Sequence, residues 1–138
     1  MGQILAIDYG KARCGIAATD DMQIIASGLD TILTPGLMEF LKKYFAENRV
    51  DEVVVGLPVD LKGNLSEVET DILKFIEIFQ KEFPTIKVNR LDERFTSKMA
   101  SFFISQSGKS KKQRQEKGLI DKISATIILQ NFLEQKTR

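Results

Sequence analysis

The chain has 138 residues, 43% of them hydrophobic and 28% charged, with a formal net charge of +1. That size and balance suit one domain over residues 1–138, and no stretch reads as a signal peptide or a bilayer span, so a cytoplasmic protein without a membrane partner is expected. It contains no histidine and one cysteine, Cys14, which removes a Ser-His-Asp triad, a His-paired thiol, a His-ligated zinc site and an internal disulfide.

Three strand-like runs come first, over about 3–8, 13–19 and 23–33. Gly10-Lys11 and Asp20-Asp21 punctuate them, which predicts an antiparallel meander. Thr34-Pro35 then reads as a helix start, with Thr34 as the N-cap and Pro35 at the first helical position. Leu37, Phe40, Leu41, Tyr44 and Phe45 follow at helical spacing. Val53-Val54-Val55 reads as a buried strand ending at Gly56-Leu57-Pro58, and a polar loop follows over about 60–64. Ser66 and Glu69 make a capping-box pattern ahead of a helix carrying Val68, Ile72, Phe75, Ile76, Phe79 and Phe83 on one face. Pro84 stops that helix, and Ile86 to Leu91 reads as the next strand. Thr96 can cap a helix through about Gln106, with Gly108 as its stop. A polar segment, 109–117, leads to a last helix from about Leu119 to Leu133.

The order predicts an α/β protein with a central mixed five-stranded sheet flanked by helices. A three-strand antiparallel meander would be joined by two parallel strands through right-handed crossovers. In such sheets, sites lie beyond the carboxyl ends of the parallel strands. Asp8 ends the apolar run Ile4-Leu5-Ala6-Ile7, and Asp92-Glu93 ends the fifth strand. Asp121 precedes Ala125, Ile128, Leu129 and Phe132 on one helix face. A charge beside a buried strand is costly unless it is paired, hydrogen-bonded or metal-bound. Alone, Asp8 could cap a turn, Asp121 could complement a helix dipole, and the Asp92-Glu93 acids could pair with Arg94. Together they place three carboxylates on one rim. Clustered carboxylates need a cation, and oxygen-only ligands suit Mg2+ or Mn2+. Such a cluster can hydrolyse phosphodiesters without histidine.

At these residues the chain resembles the YqgF/RuvX family of RNase H-like nucleases. The matching segments are Ile7-Asp8-Tyr9-Gly10 with Arg13 and Gly15-Ile16-Ala17, then Val55-Gly56-Leu57-Pro58 with Gly63. Asp92-Glu93-Arg94-Phe95-Thr96-Ser97 follows, and then Ile120-Asp121 leading into Ser124-Ala125-Thr126-Ile127-Ile128-Leu129-Gln130. The resemblance covers essentially the whole chain, with the motifs in order. It implies an RNase H-like fold and a carboxylate metal site at Asp8, Glu93 and Asp121. The implied activity is endonucleolytic, either 5′-end processing of precursor 16S rRNA or resolution of branched DNA (Holliday junctions). Ala12, Cys14, Phe95 and Ser124 depart from the usual family residues, and none of the three acids is lost. Ala12 stands where a cation is common, which weakens one phosphate contact.

Lys11, Arg13 and Arg94 flank the expected site and are candidates for binding phosphate, since arginine can do so bidentately. Because the whole chain is near neutral, the rest of the nucleic-acid contact is expected from a local patch. The 109–117 segment offers five cations, Lys109, Lys111, Lys112, Arg114 and Lys117, against one acid; its composition predicts a mobile loop that clamps substrate. Alternatives of other classes are a non-catalytic nucleic-acid scaffold on this fold, and an actin- or sugar-kinase-like nucleotide-binding domain. The second pairs two such domains, and 138 residues are too few for both. A monomer or weak homodimer is expected.

Overall fold

The computed structural model describes residues 2–58, 65–92 and 117–136, with side chains from 122 onward in the last segment. Five strands form one sheet: β1 (Gln3–Asp8), β2 (Arg13–Thr19), β3 (Ala26–Leu33), β4 (Val50–Leu57) and β5 (Lys87–Asp92). Their order across the sheet is β3-β2-β1-β4-β5. β1 pairs antiparallel with β2, and β2 with β3. β1–β4 and β4–β5 are parallel. This is the mixed five-stranded sheet that the element order predicts, and it fits the RNase H-like fold that the resemblance implies. Helices α1 (Leu37–Glu47), α2 (Val68–Glu82) and α3 (Lys117–Lys136) flank it. No helix among the described residues is long and apolar enough to cross a membrane. The predicted 60–64 loop and the predicted helix from Thr96 to Gln106 lie outside the described residues.

Strand alternation divides the core into two layers. Leu5, Ile7, Val53 and Val55 join Leu37, Leu41, Ile72, Phe75 and Phe79 beneath α1 and α2. Ile4, Ala6, Ala17, Val54 and Leu91 join Ala125, Ile128, Leu129 and Phe132 beneath α3. Both faces of β1 and β4 are therefore covered, which is why those strands are almost continuously apolar. The phenylalanines at helical spacing form the first core: Phe79 lies 5.0 Å from Phe83 and 6.0 Å from Phe45, ring centre to ring centre. Cys14 is fully buried among these residues, as its place in a strand predicts.

Several boundaries differ from the sequence expectation, each for a local reason. β3 begins at Ala26 rather than near residue 23. The Asp20 carboxylate accepts from the Ile24 and Ile25 amides at 2.8 and 2.9 Å, and Gln23 takes a positive φ of 59°, so these residues build the turn. Thr34 is not a helix cap. Residues Thr34–Gly36 form a 3-10 turn ahead of α1, and the Thr34 hydroxyl donates instead to the Gly10 carbonyl at 2.7 Å. The Ser66–Glu69 capping box is also absent. Ser66 Oγ accepts from the Val68 amide at 3.3 Å, but the Glu69 carboxylate turns away to Arg90. β4 starts at Val50, three residues earlier than read. α3 runs two residues further at its start and three at its end than read, so Lys117 is its first residue and not part of a loop.

Candidate active site

β1 and β4 run parallel with Ile7 level with Val55, so Asp8 and Gly56 are the next residues of the two strands. Gly56 in turn is level with Leu91 of β5, and Leu57 with Asp92. The carboxyl ends of β1, β4 and β5 therefore share one rim, as the strand-helix alternation predicts. Alternation also settles the face. Ile4 and Ala6 lie under α3, as do Val54 and Leu91; Asp8 and Gly56 follow two positions after Ala6 and Val54 and fall on the same side. Asp8 is half-buried and Gly56 is buried. A half-buried carboxylate thus stands beside a residue with no side chain.

The turn after Asp8 is closely built. A Cβ on Gly10 would come within 2.5 Å of the Arg13 carbonyl oxygen, so only glycine fits without moving backbone. Tyr9 points the other way, with its ring 5.4 Å from that of Phe75. Burial raises the pKa of its hydroxyl above the ordinary tyrosine value, with smaller contributions from Cys14 and Asp71.

α3 lies across β1, β2 and β3 and reaches β4. Close approach is possible at Gly28, where a Cβ would meet Thr126 Oγ1 at 3.2 Å. The far end of the helix is tied to β4 by an ion pair between Lys136 and Glu52. Asp121, expected in the first turn, is the fifth residue of α3 because the helix starts earlier than read, and it lies four residues before Ala125, which packs under the helix on the sheet. In an α-helix positions i and i+4 lie in one row. The backbone therefore sets Asp121 in the row that faces the sheet, on the same side as Asp8.

Glu93, the third candidate acid, lies outside the described residues, directly after the end of β5. Among the described residues, no three acids or thiols group closely enough to hold a metal ion. Arg94, Lys109, Lys111, Lys112 and Arg114 also lie outside the described residues. Of the other proposed cations, Lys11 is exposed and lies 3.7 Å from Glu67, just ahead of α2. Arg13 is the first residue of β2 and partly buried.

One group at this rim escaped the sequence reading. Arg90 of β5 grips the Glu69 carboxylate at 3.0 Å through Nη1 and at 2.6 Å through Nη2. The same guanidinium donates from Nε to the Val55 carbonyl at 3.2 Å and from Nη2 to the Gly56 carbonyl at 3.1 Å. The pair is largely buried, with side-chain exposures of 24% for Arg90 and 10% for Glu69. Sequence offered a weak signal: an arginine within Ile86 to Leu91, and an acid in the first turn of an amphipathic helix. The Ser66 pattern drew Glu69 to a capping role instead.

The family described as "RuvX: Holliday junction resolvase" matches residues 2–135. A protein of Flavobacterium johnsoniae named "Putative pre-16S rRNA nuclease" is 57% identical over 136 residues, covering 99% of each chain. Proteins of the same name from Flavobacterium psychrophilum and Bacteroides fragilis are 51% and 45% identical, again over 99% of each chain.

Proposed function

The chain belongs to the RuvX family, described as Holliday junction resolvase, and from that premise we propose that it is a metal-dependent endonuclease cleaving phosphodiester bonds in structured nucleic acid. The names of its relatives favour precursor 16S rRNA as substrate over branched DNA, and the 5′ end of that precursor is what the resemblance implies. Cytoplasmic action follows from that substrate.

The observation that carries this reading is the rim itself. Asp8 stands at the carboxyl end of β1, beside the bare Gly56 and on the side covered by α3, in which Asp121 is the fifth residue. In the sequence Glu93 follows Asp92, the last residue of β5. Asp8, Glu93 and Asp121 would be the ligands of Mg2+ or Mn2+. The donors fit such an ion: carboxylate oxygens only, one of them half-buried, next to a residue that leaves room above the strand. A bound divalent ion supplies a water of lowered pKa and a counter-charge for the leaving oxygen.

The chain's own residues do the rest. The pleat of β1 puts Asp8 on the face under α3, and the tight Gly10–Arg13 turn follows it. α3 excludes water from the sheet beneath it with Ala125, Ile128 and Leu129. Lys11, Arg13, Arg94 and the basic residues Lys109, Lys111, Lys112, Arg114 and Lys117 would hold the phosphates, a sequence-independent role.

The test is cleavage of labelled precursor 16S rRNA and of four-way DNA junctions by pure protein with Mn2+, beside Asp8→Asn. The expected result is cleavage that requires the ion and disappears in the variant, with its melting temperature unchanged or higher, because removing one acid relieves repulsion. Full cleavage in excess EDTA, or an Asp8→Asn variant as active as the parent, would refute the mechanism. Tight binding without cleavage by the parent protein would favour the non-catalytic scaffold.

A further inference from the structure

Arg90 is built into the sheet in a way that stability alone does not require. Burying a guanidinium and a carboxylate carries a large desolvation penalty, whereas burying apolar side chains is favourable, and well-packed apolar replacements commonly stabilise a protein equally well. Arg90 spends its donors on four acceptors: both oxygens of Glu69, the Val55 carbonyl and the Gly56 carbonyl. Only the planar fork of arginine can meet a carboxylate bidentately and reach two backbone oxygens as well. The two carbonyls belong to the residues level with Ile7 and next to Asp8 across the β1–β4 ladder. Glu69 ties the same guanidinium to the first turn of α2. The chain leaves β4 and returns to α2 with a further clasp, the Ser66 amide donating to the Pro58 carbonyl at 2.8 Å. The end of β4 and the start of α2 are thus pinned to one side chain of β5.

We propose that Arg90, held by Glu69, is a positioning residue for the reaction: it fixes the carboxyl end of β4 beside Asp8 from the opposite face of the sheet. The parity supports a remote role. Val55 lies in the core under α1 and α2, and Glu69 lies on α2, whereas Asp8 and Gly56 belong to the face under α3. The hydrogen-bonding partners of the Arg90 guanidinium are thus Glu69 on α2 and two backbone oxygens of β4. Arg90 acts through the Val55 and Gly56 backbone, which sets the depth of the space next to the Asp8 carboxylate. Active-site groups displaced by about 1 Å can lose on the order of a hundredfold in rate, so a strand end free to shift at Gly56 would slow the chemical step. The inference rests on the nuclease reading above.

The test separates the clamp's structural part from its positioning part. In Arg90→Met the Glu69 carboxylate stays buried without its partner, and the melting temperature should fall. In the double variant Glu69→Met/Arg90→Met, apolar packing replaces the ion pair, and melting should return to near that of the parent. Cleavage by the double variant should nevertheless fall in kcat by about tenfold, with KM within about twofold, because the substrate-binding residues are untouched. Mn2+ affinity without substrate, followed by titration calorimetry, should weaken in parallel. A double variant that melts like the parent with kcat and Mn2+ affinity both unchanged would overturn the proposal and leave the pair purely structural. Should the double variant fail to fold, Arg90→Lys decides the matter. It keeps the charge opposite Glu69 but not the fork, so a reduced kcat at parental stability supports positioning, and an unchanged kcat refutes it. Failure of the nuclease reading would look different: the parent itself would neither cleave nor bind Mn2+.

Discussion

Phe79→Ala probes the packing that seats α2, on the face of the sheet away from Asp8. Phe79 is 1% exposed and touches three other rings, with centroid separations of 5.9 Å to Phe75, 5.0 Å to Phe83 and 6.0 Å to Phe45. Truncating a buried phenylalanine removes its transfer free energy and leaves a cavity, together worth about 3–5 kcal/mol. An unfolding entropy of about 2.1 cal/mol/K per residue gives roughly 0.3 kcal/mol/K for a chain of this length. The melting temperature should then fall by about 10–17 °C. Urea unfolding at 25 °C, followed by far-ultraviolet circular dichroism, gives the free energy directly, and an unchanged m-value would show that the folded state keeps its extent. Nuclease activity at a temperature where the variant is fully folded should match the parent. Ile128→Ala, equally buried but under α3 in the layer shared with Asp8, should cost about 2–5 kcal/mol and also lower activity. A loss below about 2 kcal/mol for Phe79→Ala would mean that the cluster collapses to fill the gap. Lost activity in folded Phe79→Ala would refute the expectation that the Glu69–Arg90 clamp at the first turn of α2 holds independently of the packing further along the helix.

Gly10→Ala should destabilise by about 1–3 kcal/mol and lower cleavage, because the new Cβ meets the Arg13 carbonyl rather than a movable side chain. Gly36→Ala, with open space around the added atom, should stay within about 1 kcal/mol by urea unfolding, and equal losses in both would defeat the steric argument. The Ile25 and Ile24 amides hold the Asp20 carboxyl below its usual pKa, so its stabilising contribution is present above the unfolded value, near 3.9, and is lost as pH falls through the lower folded value. Melting curves of the parent and Asp20→Asn should therefore converge as pH drops below about 3.9; a gap independent of pH would show that the charge is not involved. Replacing Lys109, Lys111, Lys112, Arg114 and Lys117 with Gln should weaken duplex binding and reduce its salt slope by about 0.9 for each phosphate that is no longer neutralised. Unchanged affinity and slope would move the binding role to Lys11, Arg13 and Arg94.

Much of this protein was determined by sequence alone, because its signals are periodic and local. The strand-like runs between Gln3 and Leu33, the apolar Val53-Val54-Val55 and the helical spacing from Val68 to Phe83 each follow from how one short segment buries its own apolar side chains. The order of those segments then restricts the sheet, since a strand reached through a helix must lie parallel. Asp8 and Asp121 were legible as candidates because an acid at the edge of an apolar run is costly unless it has a use. Tertiary structure alone decided the partners of groups with more than one local option. Thr34 could cap a helix, but the Gly10 carbonyl comes within 2.7 Å of its hydroxyl in the folded chain. Glu69 could close a capping box with Ser66, but Arg90, 21 residues away, offers a charged fork across the face of the sheet. A buried carboxylate gains more from a guanidinium than from one backbone amide, because a charge-assisted bidentate pair also neutralises it. That pairing exists only once α2 has packed against β4 and β5, so no window of sequence around Glu69 or around Arg90 contains it.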